Sequence, residues 1–141
     1  MNDVTGFRTN LTRLSRRLRQ KGHNDPESWT RMLVISAIDR LGFEATPTAI
    51  ATQEGLRSSN LAAVLRTLET ATLISRTPDL QDGRVTRLVL TPAGHQLLAK
   101  SRHDRDQWLT QAMEDVLTPY ERQALIQVSE LLGRLAESPK R

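Results

Sequence analysis

Over most of this chain the apolar residues recur with a helical period, and over one short stretch they crowd into strand-like runs around a charged turn. From Ser58, the segment SSNLAAVLRTLETA carries Leu61, Val64, Leu65 and Leu68, the i, i+3, i+4, i+7 stripe of an amphipathic helix. LISR follows, then the charged segment TPDLQDGR, then VTRLVL and Thr91-Pro92. Two apolar, β-branched runs around a turn of Asp and Gly predict a β-hairpin. The order is therefore helix, strand, charged turn, strand, and the start of another helix.

Four dipeptides punctuate the rest: Asp25-Pro26, Thr46-Pro47, Thr91-Pro92 and Thr118-Pro119. Each sets a capping oxygen before a proline, whose missing N–H costs nothing at the first helical position. Thr118 also has Glu121 three residues on, a capping box. Helices are predicted to begin near residues 26, 47, 92 and 119, making six with the N-terminal helix and the one at Ser58. The second, WTRMLVISAIDRL, is broadly apolar and should be central to the core, with Gly42 and Phe43 ending it. The third, PTAIATQEG, is short and closes at Gly55. The tight link Gly55-Leu56-Arg57 to the next helix matches a helix-turn-helix. With the hairpin after it, the pattern predicts a mainly α fold with a small β-hairpin wing (α+β), a winged helix-turn-helix.

The first helix, about residues 3 to 21, carries Val4, Phe7, Leu11, Leu14 and Leu18, a narrow seam at steps of 3 and 4. Such a seam suits packing on its own domain or on another subunit. A long helix runs from Pro92 to about Val116, and its middle, SRHDRDQ, is polar all round, as in a solvent-bridging connector. The last helix aligns Leu125, Val128 and Leu132 with Ala124, Leu131 and Leu135. Apolar terminal helices joined by a half-bare connector suggest a dimerisation unit. The whole reads as a single domain over 1–141, with residues 1–24 and 92–141 for dimerisation and 26–91 as the winged module.

Composition narrows this. The 141 residues have a mean hydropathy of −0.46 and 4% aromatic residues, so Leu, Val, Ile and Ala must build the core. With no cysteine, a thiolate zinc site, a disulfide framework and a thiol redox sensor are excluded. The opening MNDVTGF lacks the basic-then-apolar order of a signal peptide, and no apolar run approaches a membrane span. A cytoplasmic location without membrane contact is expected. The formal charge of +4 is compatible with nucleic acid without establishing it. Arg13, Arg16, Arg17, Arg19 and Lys21 crowd the first helix, whereas Arg57, Arg66, Arg76, Arg84 and Arg87 mark the middle.

In AIATQEGLRSSNLAAVLRTLE, LISRTPDLQDGRVTRLVLTPAG and LTPYERQALIQVSELLGRL the chain resembles the MarR family of bacterial transcriptional regulators, and the resemblance covers nearly its whole length. It departs from the family twice. The wing reads Asp82-Gly83-Arg84 where an acidic residue and two arginines are common, and Thr72 stands where a glycine usually ends the recognition helix. The resemblance implies a homodimer whose terminal helices interlock and whose winged modules reach successive major grooves of a pseudopalindromic operator in double-stranded DNA. It also implies a small, often aromatic and anionic effector that lowers DNA affinity, and no cofactor.

On that basis the DNA-binding candidates are Arg57, Ser58, Ser59, Asn60, Ala63, Arg66, Arg76, Asp82, Arg84 and Arg87. With the leucine stripe turned inward, Ser59 and Asn60 face bases or phosphates, and asparagine suits a bidentate adenine contact. Ala62 or Ala63 permits close approach, and Arg57 and Arg66 suit phosphates. Ser58 serves either DNA or the helix cap. Arg84 at the wing tip fits a narrow minor groove, with Asp82 orienting it. Ligand candidates are Arg16, His23, Trp29, Arg31 and Met32, an arginine beside a tryptophan being suited to an aromatic carboxylate; the alternative is Trp29 as core and the arginines as solvated surface. Candidates for the dimer interface are Val4, Phe7, Leu11, Leu14, Leu18, Leu125, Val128 and Leu132. Two rival readings remain: a winged helix used only for protein contacts, and a metal-dependent enzyme using His103, Asp104 and Asp106. No metal site is expected, since the histidines are scattered and no catalytic motif occurs.

Overall fold

A computed structural model describes residues 3–22 and 25–141. Its elements are α1 (Asp3–Gln20), α2 (Pro26–Leu41), a 3-10 turn (Gly42–Glu44), α3 (Pro47–Glu54), α4 (Ser58–Thr70), β1 (Ile74–Pro78), β2 (Thr86–Leu90), α5 (Pro92–Val116) and α6 (Pro119–Ala136). The caps that precede the prolines act as expected. Asp25 accepts from the Ser28 amide at 2.7 Å, Thr46 from Ala49 at 3.2 Å, and Thr91 from Gly94 at 3.1 Å. Thr118 and Glu121 form the full capping box. The 3-10 turn after α2 carried no clear sequence signal; Gly42 opens it with a φ of 56°.

The core lies around α2, whose Met32, Val34, Ile35, Ala37 and Ile38 are buried. Ile50 of α3, Leu61, Leu65 and Leu68 of α4, Ile74, Leu88 and Leu90 of the hairpin, and Leu98 of α5 close around it. Burying side chains of this size contributes roughly 1.5–3 kcal/mol each. β1 and β2 pair antiparallel, with Ile74 opposite Leu90 and Arg76 opposite Leu88. Leu88 N–H also donates to the Ala45 carbonyl at 2.8 Å, tying the wing to the segment after α2.

α4 ends in a Schellman arrangement: Thr72 N–H bonds Glu69 C=O and Leu73 N–H bonds Leu68 C=O, both at 2.9 Å. Thr72 takes the left-handed position at φ 56°, so the absent glycine does not prevent this ending. Thr91 then locks the start of α5, its hydroxyl donating to the Thr72 carbonyl at 2.7 Å. Gly94 is needed there, because a Cβ would lie 2.2 Å from the Leu73 carbonyl oxygen.

The chain falls into two compact units, one up to Asp104 and one of Arg105–Arg141, and the division lies inside the polar stretch of α5. That stretch is less bare than its sequence suggests. Ser101 is buried, and Arg102 pairs with Asp39 of α2 at 3.2 Å. The polar residues there thus include a tertiary contact, because an arginine is long enough to reach a carboxylate on the facing helix. Neither α1 nor α6 buries a side chain within this chain. Among the described residues, no helix is long and apolar enough to cross a membrane.

Candidate nucleic-acid interface

The link between α3 and α4 sets the geometry of the reading helix. Gly55 ends α3 in the left-handed region at φ 65°, and Leu56 N–H bonds back to the Ala51 carbonyl at 3.0 Å. α4 starts three residues later with Arg57 at its cap position, without a side-chain capping bond. Ser58 is therefore the first helical residue, and the alternative in which it caps the helix does not hold. Among the described residues no side chain caps the first turn of α4, and such an end favours an anion.

Leu61, Leu65 and Leu68 point into the core, leaving Ser58, Ser59, Asn60, Ala63, Arg66 and Thr67 exposed. Val64 and Ala62 are half-buried flanks. For Ala62 this corrects the outward placement, since the buried stripe centres on the three leucines rather than on Val64. Beside Asn60, Ala63 and Thr67 lies an open depression of about 400 Å³, whose other wall is the first turns of α2 with Pro26, Thr30 and Arg31.

The arginines of the module divide into two groups. Arg57 and Arg66 are exposed and have no ion-pair partner among the described residues. Arg76 is held by Glu69 at 2.6 Å, bridging α4 to β1. Arg87 pairs with Asp79 at 2.8 Å, donates to the Phe43 carbonyl and lies 5.8 Å from the centre of the Phe43 ring. Both are engaged in holding the hairpin to the helices. Arg84 combines the two conditions, contacting Asp82 at 3.1 and 3.3 Å while its side chain stays 92% exposed.

One carboxylate organises the turn that presents Arg84. Asp79 accepts from the amides of Gln81 and Asp82 at 3.2 and 2.9 Å and from Arg87 on its other oxygen. The Arg87 hydrogen bond, then the Asp82 amide, hold the Asp79 carboxyl below its usual value. Asp82 is lowered likewise, first by the Arg84 side chain and then by the Arg84 amide. Glu69 and Asp79 were not singled out from sequence, and Phe43 only as part of the end of the second helix. Asp79 could have been found from hairpin register, which sets it near Arg87; Phe43 could not.

Of the ligand candidates, Met32 is buried in the core and Trp29 packs half-buried against it. Arg31 lines the depression, Arg16 is exposed on α1, and His23 lies outside the described residues. Val4, Phe7, Leu11 and Leu14 are exposed and Leu18 is half-buried; Leu125, Val128 and Leu132 of α6 are exposed. Asp104 accepts from Lys100 at 2.8 Å. Among the described residues no three His, Cys, Asp or Glu side chains converge on a metal position.

Comparison with known proteins fits this geometry. The model of the MarR family matches residues 28–86, from the first turn of α2 to the start of β2. A candidate transcriptional regulator from Pseudomonas aeruginosa is 39% identical, with a TM-score of 0.85 over 97% of this chain and 94% of that one. An HTH-type transcriptional regulator of Mycobacterium tuberculosis is 29% identical over 130 residues, 92% of this chain and 90% of the relative. A MepR variant from S. aureus, solved bound to an oligodeoxyribonucleotide, shares the fold with a TM-score of 0.64 at 21% identity, over 96% of this chain and 99% of that one. The first two relatives are transcriptional regulators rather than enzymes. The chain belongs to the MarR family: it is a transcriptional regulator built on a DNA-binding winged helix.

Proposed function

We propose that this regulator is a cytoplasmic homodimer that represses transcription from a pseudopalindromic operator, and that a small aromatic or anionic effector relieves the repression. The observation that carries the reading is the pairing of an exposed polar arc on α4 with a wing that presents Arg84 to solvent. In this reading Asn60 and Ser59 contact base edges, Ala63 lets the helix approach, and Arg57, Ser58 and Arg66 hold phosphates. Arg84 enters the minor groove, and Asp82 orients it. Arg76 and Arg87 keep the wing in place and add backbone contacts from its flanks. The oligodeoxyribonucleotide on MepR, a protein of the same fold, supports DNA as the partner.

The homodimer accounts for the apolar residues left exposed on α1 and α6, which a lone chain would keep in water. Leu11 and Leu14 from α1 and Leu125, Val128 and Leu132 from α6 are its core. For the effector, Arg31 is the best-placed of the candidates. It lines the depression shared with Asn60, Ala63 and Thr67, so an anion paired with it would compete with DNA for the outer face of α4.

A fluorescence anisotropy titration with duplex DNA from the gene's own upstream region and with a scrambled duplex tests this. Arg84→Ala should weaken binding to both and flatten the salt slope. Asn60→Ala should cost about 1–3 kcal/mol on the operator alone. Absence of binding, or binding indifferent to salt and sequence, would favour a protein-contact module instead.

A further inference from the structure

The charge of this chain is not where a DNA reader would need it. The winged module, residues 26–91, holds seven arginines and seven carboxylates and is formally neutral. Four of those arginines (Arg40, Arg76, Arg84 and Arg87) are already ion-paired. Residues 1–21 carry five arginines and Lys21 against a single acid, Asp3, an excess of five. The whole chain totals +4, so the remaining 120 residues sum to −1. Attraction to a polyanion depends on local positive charge. Within this protein, α1 is its main source.

The arrangement along α1 is also regular. At about 100° per residue, Arg8, Arg13, Arg16 and Arg19 fall on one broad face, centred nearly opposite the Val4-to-Leu18 seam. Thr5, Thr9, Thr12 and Gln20 stand between them, and no carboxylate does. All four arginines are exposed and have no ion-pair partner among the described residues. A second observation concerns reach. α1 ends at Gln20 and α2 begins at Pro26, six residue steps that span at most about 20 Å. The first turns of α2 border the same depression as Asn60, Ala63 and Thr67. The arginine face therefore ends within about 20 Å of the start of α2, which walls the depression beside the outer face of α4.

We propose that the arginine face of α1 is a second phosphate-binding surface, which holds the backbone of the duplex read by α4 and supplies most of the salt-dependent affinity. This rests on the DNA-binding reading above. The division of labour is physical: α4 discriminates sequences through a nearly neutral module, and α1 adds attraction that is blind to sequence. The apolar seam on the other side of α1 stays available for the subunit contact.

The test compares the full-length wild type with a variant carrying Arg8→Gln, Arg13→Gln, Arg16→Gln and Arg19→Gln. Anisotropy is read from 50 to 300 mM KCl on the fluorescein-labelled upstream duplex and on a scrambled one. Affinity for both should fall, their ratio should hold, and the slope of log affinity against log salt should flatten by about 0.9 for each phosphate that is no longer neutralised. Lysine at the same four positions should keep affinity and slope close to wild type. An unchanged slope in the glutamine variant, with Arg84→Ala still flattening it, would overturn the proposal. Two other results would also do so. In one, the glutamine variant loses binding to phosphatidylserine vesicles but not to DNA, assigning the face to membranes. In the other it sediments as a monomer while the wild type is dimeric, assigning the face to the subunit contact. A wild type that bound neither duplex would instead overturn the DNA reading itself.

Discussion

At Thr72 the chain adopts a φ of 56°, a left-handed geometry that costs a β-branched residue about 1–2 kcal/mol. The Schellman bonds and the Thr91 hydroxyl on the Thr72 carbonyl hold it there. Thr72→Gly should relieve that strain at some cost in chain entropy, for a net gain of about 0.5–1 kcal/mol. A urea titration would register it as a higher midpoint; a lower one would mean that the hydroxyl bond to the Ala71 carbonyl outweighs the strain. Gly83 presents the opposite case. It is not among the residues with positive φ, and nothing lies within 4 Å of where its Cβ would stand. The wing tip does not need a glycine. Gly83→Arg should therefore be accommodated, strengthen binding to all duplexes and steepen the salt slope by about 0.9 per protomer. An unaltered slope would place the tip away from the phosphates.

The wing turn is tied together as an element by one carboxylate that serves three donors. Asp79 carries a pKa lowered by Arg87 and two amides, so its contribution is present above the ordinary value of 3.8. It is lost as pH falls through the lower folded value. Asp79 is half-buried at the protein surface, where solvent still screens its pair with Arg87, so the effect on global stability is small. Asp79→Asn should lower the thermal midpoint at pH 7 slightly and flatten the fall in stability below about pH 4 by the same small amount. An acid limb identical to that of the wild type would remove Asp79 from this role. Most element boundaries were legible in sequence, because Asp25, Thr46, Thr91 and Thr118 act on amides three residues away. The 3-10 turn at Gly42–Glu44 was not, since it answers to the wing packed against it through Leu88 and Arg87.

For the whole molecule, the unsatisfied surface is the deciding feature. Val4 is 73% exposed and Phe7 50%, and on α6 Ile126 and Leu135 are likewise in water. Two helices with no fully buried residue in their own chain are expected to bury their seams in an oligomer. Leu11→Asp combined with Leu14→Asp should yield monomers by sedimentation velocity and abolish operator binding, since each monomer would offer one half-site reader. A dimer that survives both changes would take α1 out of the interface. The seams on α1 and α6 were readable as stripes, yet a stripe alone did not say whether it faced its own core. That choice needed the burial of the rest: the core around α2 closes without either helix.

What the sequence determined by itself were the features of short range. Helix starts, the leucine stripe of α4, the hairpin and the exposed arc with Asn60 and Arg66 all follow from period and capping, which act within a turn or two of the chain. What only the tertiary structure decided was how each charged side chain is engaged. Arg87 meets the Phe43 carbonyl 44 residues away and Arg102 meets Asp39 at a separation of 63, whereas Arg57 and Arg66 meet no carboxylate among the described residues. In sequence these arginines look alike. A long, flexible cation takes whichever acceptor the fold brings within reach, and no local pattern encodes that distance.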